Sequence, residues 1–242
     1  MTPFMDEAQA RDEICRVGRS LFERGYVHAT AGNISVRLAD GYLITPTDAC
    51  LGALDPARLA RLDAQGQQVA GDRGSKTIVL HRRIYEASEA AGVARAAGGP
   101  GAQGHVARCI IHTHSTHLVA CSLAADAAMS ANAPDLLPPI TPYFVMKVGH
   151  VPHIPYHRPG APEAADCVAQ AIARHAAAGH PVRAVMLARL GPNVWHDSPA
   201  AAMATLEELE ETARLWLMLQ PRPAPLDEAR IDELRRQFGA SW

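Results

Sequence analysis

The chain has 242 residues, enough to bury a large core, and one domain over residues 1–242 is expected. Its 23 basic and 25 acidic residues leave a net charge of −2, with no Lys/Arg stripe of the kind a nucleic-acid partner needs. Hydrophobic residues make up 48%, which argues against disorder, yet no run of about 18 uncharged apolar residues marks a membrane span. The five cysteines (Cys15, Cys50, Cys109, Cys121 and Cys167) are dispersed, and none forms a C-x-x-C pair. They read as reduced residues of a cytoplasmic protein rather than a disulfide or zinc framework. Asp6 and Glu7 near the N-terminus, with no apolar stretch after them, speak against a secretion signal.

In chain order, Ala10, Ile14, Val17 and Leu21 recur at helical spacing, which predicts a helix over 6–24 stopped by Gly25. Ile34, Val36 and Leu38 alternate with Ser35 and Arg37, the pattern of a half-buried strand. Asp40-Gly41 is a hairpin signal, and residues 42–45 form the return strand. A short helix is expected over 55–61 and a small hairpin over 59–69 around Gly66. A helix over 75–91 would turn Val79, Leu80, Ile84 and Ala87 inward, with Ser75 as N-cap. Gly98-Gly99-Pro100-Gly101 reads as a surface loop.

Residues 106–117 hold the most informative stretch. Val106, Ile110 and Ile111 lead into His112, His114 and His117. Residues two apart on an extended chain share a face, so His112 and His114 would offer two imidazoles to one metal ion. The alternative is a pair of surface histidines where a strand meets a loop. Of the 12 histidines, seven (His105, His112, His114, His117, His150, His153 and His157) fall within 105–157. Further on, a helix is expected over 115–125, a Pro-rich connection over 134–142, and strands over 143–148 and 151–156. Then come a helix over 162–178, a buried strand over 184–187 and a short strand at 194–195. Last are the longest helix, over 199–220 with Leu206, Leu209, Ala213 and Trp216 inward, and a short helix over 227–238. Short hairpin strands mixed with helices, without G-x-G-x-x-G or a P-loop, point to an α/β sandwich with a largely antiparallel sheet.

Four segments then line up in one order: Ala31-Gly32-Asn33-Ile34-Ser35-Val36-Arg37, Leu43-Ile44-Thr45-Pro46-Thr47, Ser75-Lys76 with His81 downstream, and Ile111-His112-Thr113-His114-Ser115-Thr116-His117. Together they resemble the class II aldolase/adducin family, which includes fuculose-phosphate aldolase and ribulose-phosphate 4-epimerase. Within it, Pro139-Ile140-Thr141-Pro142-Tyr143, Ile154-Pro155-Tyr156-His157-Arg158-Pro159-Gly160 and Glu207-Glu208-Leu209-Glu210-Glu211-Thr212-Ala213 are most similar to the 3-oxo-tetronate 4-phosphate decarboxylases.

The resemblance implies a three-layer α/β/α sandwich with a mainly antiparallel central sheet, and a carbon–carbon lyase acting on a phosphorylated sugar or sugar acid. It implies a divalent metal, zinc by family, on His112 and His114, which would stabilise an enediolate as a Lewis acid. It implies phosphate binding by Asn33, Thr47, Ser75 and Lys76, a proton-donating Tyr143, and a homo-oligomer, a tetramer in the family. Read singly, Asn33 is also a turn residue, Ser75 a cap, Lys76 a solvated lysine and Tyr143 a core aromatic of a strand.

Two positions depart from the family pattern. A Glu or Asp is expected where Thr77 stands, and a histidine where Leu190 stands, before Gly191-Pro192. Three outcomes follow. The fold could persist as a small-molecule-binding or assembly module. His117, His150, His153 or His157, or a neighbouring subunit, could supply replacement ligands; on a strand, His153 and His157 would share a face. Or the chemistry could run on the charges of Lys76 and Arg189, with Lys76 able to form a Schiff base. A pentose-phosphate epimerase is a further alternative.

Overall fold

The structure is a computed structural model and describes residues 4–96, 106–126 and 135–242. The 98–101 loop, His105 and the first residue of the Pro-rich connection, Pro134, lie outside them.

An eight-stranded sheet forms the middle layer. Its strands are β1 (Asn33–Leu38), β2 (Gly41–Ile44), β3 (Ala60–Asp63), β4 (Gln68–Ala70), β5 (Cys109–His112), β6 (His153–Ile154), β7 (Ala184–Leu187) and β8 (Gly191–His196). They run in the order β4-β3-β2-β1-β5-β8-β7-β6, antiparallel throughout except between β6 and β7. The helices are α1 (Glu7–Glu23), α2 (Ile78–Ala96), α3 (Thr116–Asp126), α4 (Pro162–Ala177), α5 (Pro199–Met218) and α6 (Glu228–Phe238). Alternation along each strand divides the apolar residues between two cores. Ile34, Val36, Leu43, Cys109, Ile111, Met186 and Val194 face α1, α3 and α5. Tyr42, Ile44, Ile110, Val185, Leu187 and Trp195 face α2 and α4. This is the α/β/α sandwich expected, and period-two side-chain direction produces it. No helix among the described residues is long and apolar enough to cross a membrane.

The helix ends follow side-chain chemistry. Asp6, Ser198 and Asp227 each accept an N–H from the first turn of the helix they open. Gly239, at φ 66°, ends α6 in the left-handed conformation that glycine tolerates.

Several expectations are corrected. β1 is not half-buried: Ser35 is fully buried, because α2 covers the face opposite α1. There Ser35 Oγ meets His81 Nδ1 at 2.8 Å and the Tyr85 hydroxyl at 2.7 Å. α2 begins at Ile78, three residues late. Ser75 Oγ turns to the Thr77 hydroxyl at 2.8 Å and makes a local turn instead of a helix cap. The inward face of α2 is thus His81, Ile84, Tyr85 and Ser88, and Val79 is exposed. The helix expected over 55–61 is a single 3₁₀ turn, Pro56–Arg58, with Asp55 accepting from the Ala57 N–H.

Residues 143–148 are not a strand. Tyr143 is helical and Phe144–Val148 form one π-helical turn, opened by Thr141 Oγ1 accepting from the Phe144 N–H at 3.1 Å. A short apolar run carries no period that separates strand from helix. The strand expected over 151–156 is only His153–Ile154, so His153 and His157 do not share a strand face. β8 is longer than its apolar pair suggests, because the polar residues Asn193 and His196 continue the ladder.

Candidate active site

The site sits where β1, β5 and β8 end together. Asn33 pairs with His112, and His112 pairs with Asn193, so three polar residues form a row across adjacent strands on the α2 side. α2 lays His81 over this row. His81 is fully buried, and its pKa is pushed down to about 3 by burial first and then by His112. Asn33 Oδ1, His81 Nε2 and both amide atoms of Asn193 are buried without a hydrogen-bond partner. Such a polar pocket is one that a water or a ligand atom completes.

His112 presents its imidazole in a defined state. Its Nδ1 donates to the Pro192 carbonyl at 2.8 Å, so its Nε2 carries the lone pair. That Nε2 faces His114 Nε2 at 3.2 Å, with ring centroids 5.0 Å apart. Burial, then His114, depress the His112 pKa to about 4, and burial, then His28, lower that of His114. Both imidazoles are therefore neutral near pH 7, the form that ligates metals. A backbone carbonyl on the far nitrogen is also how ligating histidines are oriented. His112 and His114 thus fit two positions of a divalent-cation site. Among the described residues no group of three or more His, Cys, Asp or Glu side chains is arranged to hold a metal ion.

The positions that depart from the family pattern lie in this neighbourhood. Leu190 packs against the α2/α4 core, and Thr77 bonds to Ser75. The Leu190-Gly191 turn presses on the histidine segment: a Cβ on Gly191, at φ 148°, would meet the Thr113 carbonyl oxygen at 1.9 Å. Only glycine allows that approach. Arg189 precedes this turn at φ 64°, exposed, with its N–H bonded to Ser122 Oγ.

The other histidines named as replacement ligands contact residues outside the His112–His114 pair. His117 Nδ1 meets Glu210 Oε1 at 2.8 Å, and the same carboxylate accepts the His117 and Leu118 backbone N–H groups. His150 pairs with Asp135, His153 with Ser122 Oγ, and His157 lies 3.7 Å from Cys167 Sγ.

The expected phosphate residues converge through the backbone. Thr45 Oγ1 accepts the Ile34 N–H, and the Thr45 carbonyl accepts the Ser75 N–H. The Thr47 hydroxyl donates to the Gly74 carbonyl at 2.8 Å. Asn33, Thr47 and Ser75 therefore come from three adjoining segments, with Lys76 exposed beside them. Tyr143 stands apart: it is 62% exposed. Two site residues escaped the sequence reading. Asn193 had no signal, because a polar residue in a short strand reads as a surface position. His28 had one, a histidine two residues before Thr30-Ala31-Gly32.

Comparison with known proteins agrees with this fold. The class II aldolase and adducin N-terminal domain matches residues 12–217. The chain is 48% identical over 241 residues to a 3-oxo-tetronate 4-phosphate decarboxylase of Cupriavidus necator, covering 98% of this chain and 99% of the relative. It is 37% identical over 233 residues to a protein of the same name from Escherichia coli, covering 95% and 96%. The solved structure of YgbL from Klebsiella pneumoniae superposes with a TM-score of 0.76 at 37% identity, over 96% of this chain and 100% of that one. The l-fuculose-1-phosphate aldolase of Thermus thermophilus, at 24% identity, TM-score 0.64 and coverage of 87% and 93%, shares the fold.

Proposed function

The chain belongs to the class II aldolase and adducin family, and from that premise we propose that it is a carbon–carbon lyase that decarboxylates a phosphorylated 3-oxo sugar acid of the 3-oxo-tetronate 4-phosphate class. The observation that carries the reading is the convergence of His112 Nε2 and His114 Nε2 at the same sheet end as Asn33, whose neighbour Ile34 is tied to the Thr45–Thr47 and Ser75 segments.

In the substrate the carboxylate is on C2, next to the C3 ketone. Breaking the C1–C2 bond releases CO2 and leaves its electron pair on C2, delocalised onto the C3 oxygen as an enediolate. A proton added at C2 gives dihydroxyacetone phosphate. Asn33, Thr47, Ser75 and Lys76 hold the phosphate through amide, hydroxyl and ammonium donors. This anchors the far end of the substrate and orients the breaking bond. His112 and His114 would hold a divalent cation, zinc by family, whose charge stabilises the enediolate oxygen. Lys76 adds positive charge beside the phosphate. Tyr143 delivers the proton to C2. Its exposure suits a homo-oligomer, a tetramer by family, in which the hydroxyl reaches a neighbouring subunit's site. The free, dispersed thiols support a cytoplasmic location.

A second reading rests on Thr77 and Leu190, neither of which can serve as a zinc ligand of ordinary strength. In that reading the fold binds the phosphorylated acid without turning it over. The two separate in one assay. Full-length chain supplied with zinc is expected to release CO2 from 3-oxo-tetronate 4-phosphate and to leave the unphosphorylated acid nearly untouched. Equal turnover of both would contradict the phosphate subsite, and no CO2 above the spontaneous rate from either would contradict the lyase.

A further inference from the structure

The geometry points to His28 as the third imidazole of a cation site with His112 and His114, replacing the ligands that Thr77 and Leu190 cannot provide. The inference rests on the reading that the His112–His114 pair binds a divalent cation.

Two imidazoles on one tetrahedral ion, with nitrogens about 2.0–2.1 Å from the metal, have nitrogens about 3.3 Å apart and ring centroids about 5 Å apart. His112 and His114 already have this spacing, at 3.2 Å and 5.0 Å. The His28 ring is next, with its centroid 6.5 Å from that of His114 and its plane at 72°. The gap from 6.5 to 5.0 Å is 1.5 Å. His28 is exposed, so its ring can turn about its own side-chain bonds to close that distance without moving the core.

The backbone beneath His28 is held where such a ligand needs it. Val27 on one side is buried, and Asn33 on the other is in register with His112. Gly32, at φ 85°, lies so close that a Cβ there would stand 2.8 Å from the His112 carbonyl oxygen. The Ala31 N–H closes a turn onto the His28 carbonyl at 2.9 Å. Ala29, next to His28, has φ 48°, a left-handed conformation that alanine rarely takes. A strained residue in a turn pressed onto a ligand strand is where a site invests conformational energy.

The test uses the full-length chain, stripped with chelator and titrated with zinc, and with cobalt(II) as a coloured substitute. His28→Ala is expected to weaken zinc binding by more than about 100-fold, beyond the roughly 10–100-fold that loss of mere outer-shell support gives. It should also change the visible cobalt spectrum. His28→Cys is expected to restore binding and to add a sulfur-to-cobalt charge-transfer band, which arises only if residue 28 touches the ion. Unchanged affinity in His28→Ala together with no such band in His28→Cys would overturn the assignment of His28. If wild type binds neither ion, or binds them as well after His112→Ala/His114→Ala, the pair itself is misread. Circular dichroism of each variant separates loss of a ligand from loss of fold.

Discussion

Glu210 of α5 sets a buried carboxylate against the first turn of α3, and removing it should damage both stability and the site. Its Oε1 accepts the His117 N–H at 3.0 Å and meets His117 Nδ1 at 2.8 Å, while Oε2 accepts the Leu118 N–H at 3.2 Å. Those amides belong to the first turn of α3 and have no partner within the helix. A negative charge there also opposes the positive end of the helix dipole. Hydrogen bonds to charged groups contribute about 1.5–3 kcal/mol each, and they are not additive when they share one carboxylate. With Leu118 fully buried, no water replaces the lost acceptor directly. Glu210→Ala should therefore cost about 3–4 kcal/mol, which for a chain of this size lowers Tm by about 6–16 °C. Glu210→Gln keeps a neutral acceptor and should lose about half as much. The turn from Thr113 to Ser115 that carries His114 runs directly into this helix, so zinc affinity should fall by about 10–100-fold in the alanine variant. Thermal unfolding by circular dichroism and a zinc titration measure the two effects. A Tm within about 3 °C of wild type, with unchanged zinc affinity, would refute the reasoning.

Three further outcomes are expected. A histidine whose folded pKa lies below its unfolded value binds its proton preferentially in the unfolded chain, so stability present above about pH 6.5 is lost as pH falls. With the His81 pKa near 3 against 6.5 unfolded, this group alone should remove about 2 kcal/mol between pH 7.5 and pH 5. Urea midpoints at the two values measure it, and His81→Gln should flatten the slope; an equal slope in the variant would assign the effect elsewhere. Lys76→Ala should raise KM for the phosphorylated acid about tenfold with kcat little changed, as loss of one charge-assisted contact implies. Steady-state kinetics would contradict the assignment if KM stayed constant. Thr77→Glu/Leu190→His should tighten zinc binding by about tenfold or more, read by competition with a coloured chelator. Weaker binding in that variant would mean that these two positions do not face the ion.

The layers were legible in the sequence because period-two alternation is a backbone property. Ile34, Val36 and Leu38 face one core whatever lies across the sheet. Burial depth was not legible: Ser35 looks like a solvent position until α2 places His81 and Tyr85 over it. The run Tyr143–Val148 hid its helical turn because six residues span too little length to show a period. Likewise, the pairing of His112 with His114 follows from spacing alone, and the structure brings their Nε2 atoms together. The fates of His117, His150, His153 and His157 do not follow from spacing. They are decided by Glu210, Asp135, Ser122 and Cys167, which the fold brings in from distant segments. His28 stayed out of sight for the same reason. It nears His114 only because β1 pairs with β5.

The most direct single measurement is turnover of 3-oxo-tetronate 4-phosphate in D2O by the zinc-supplied full-length chain, with CO2 and the organic product followed together. Expected is dihydroxyacetone phosphate equal in amount to the CO2, carrying one deuterium placed with a single handedness on the carbon that lost the carboxylate. Recovery of the acid with its C2 hydroxyl inverted and no CO2 would make the protein an epimerase. Recovery of the acid unchanged, beyond its spontaneous decay, would leave it a binding module and contradict the lyase.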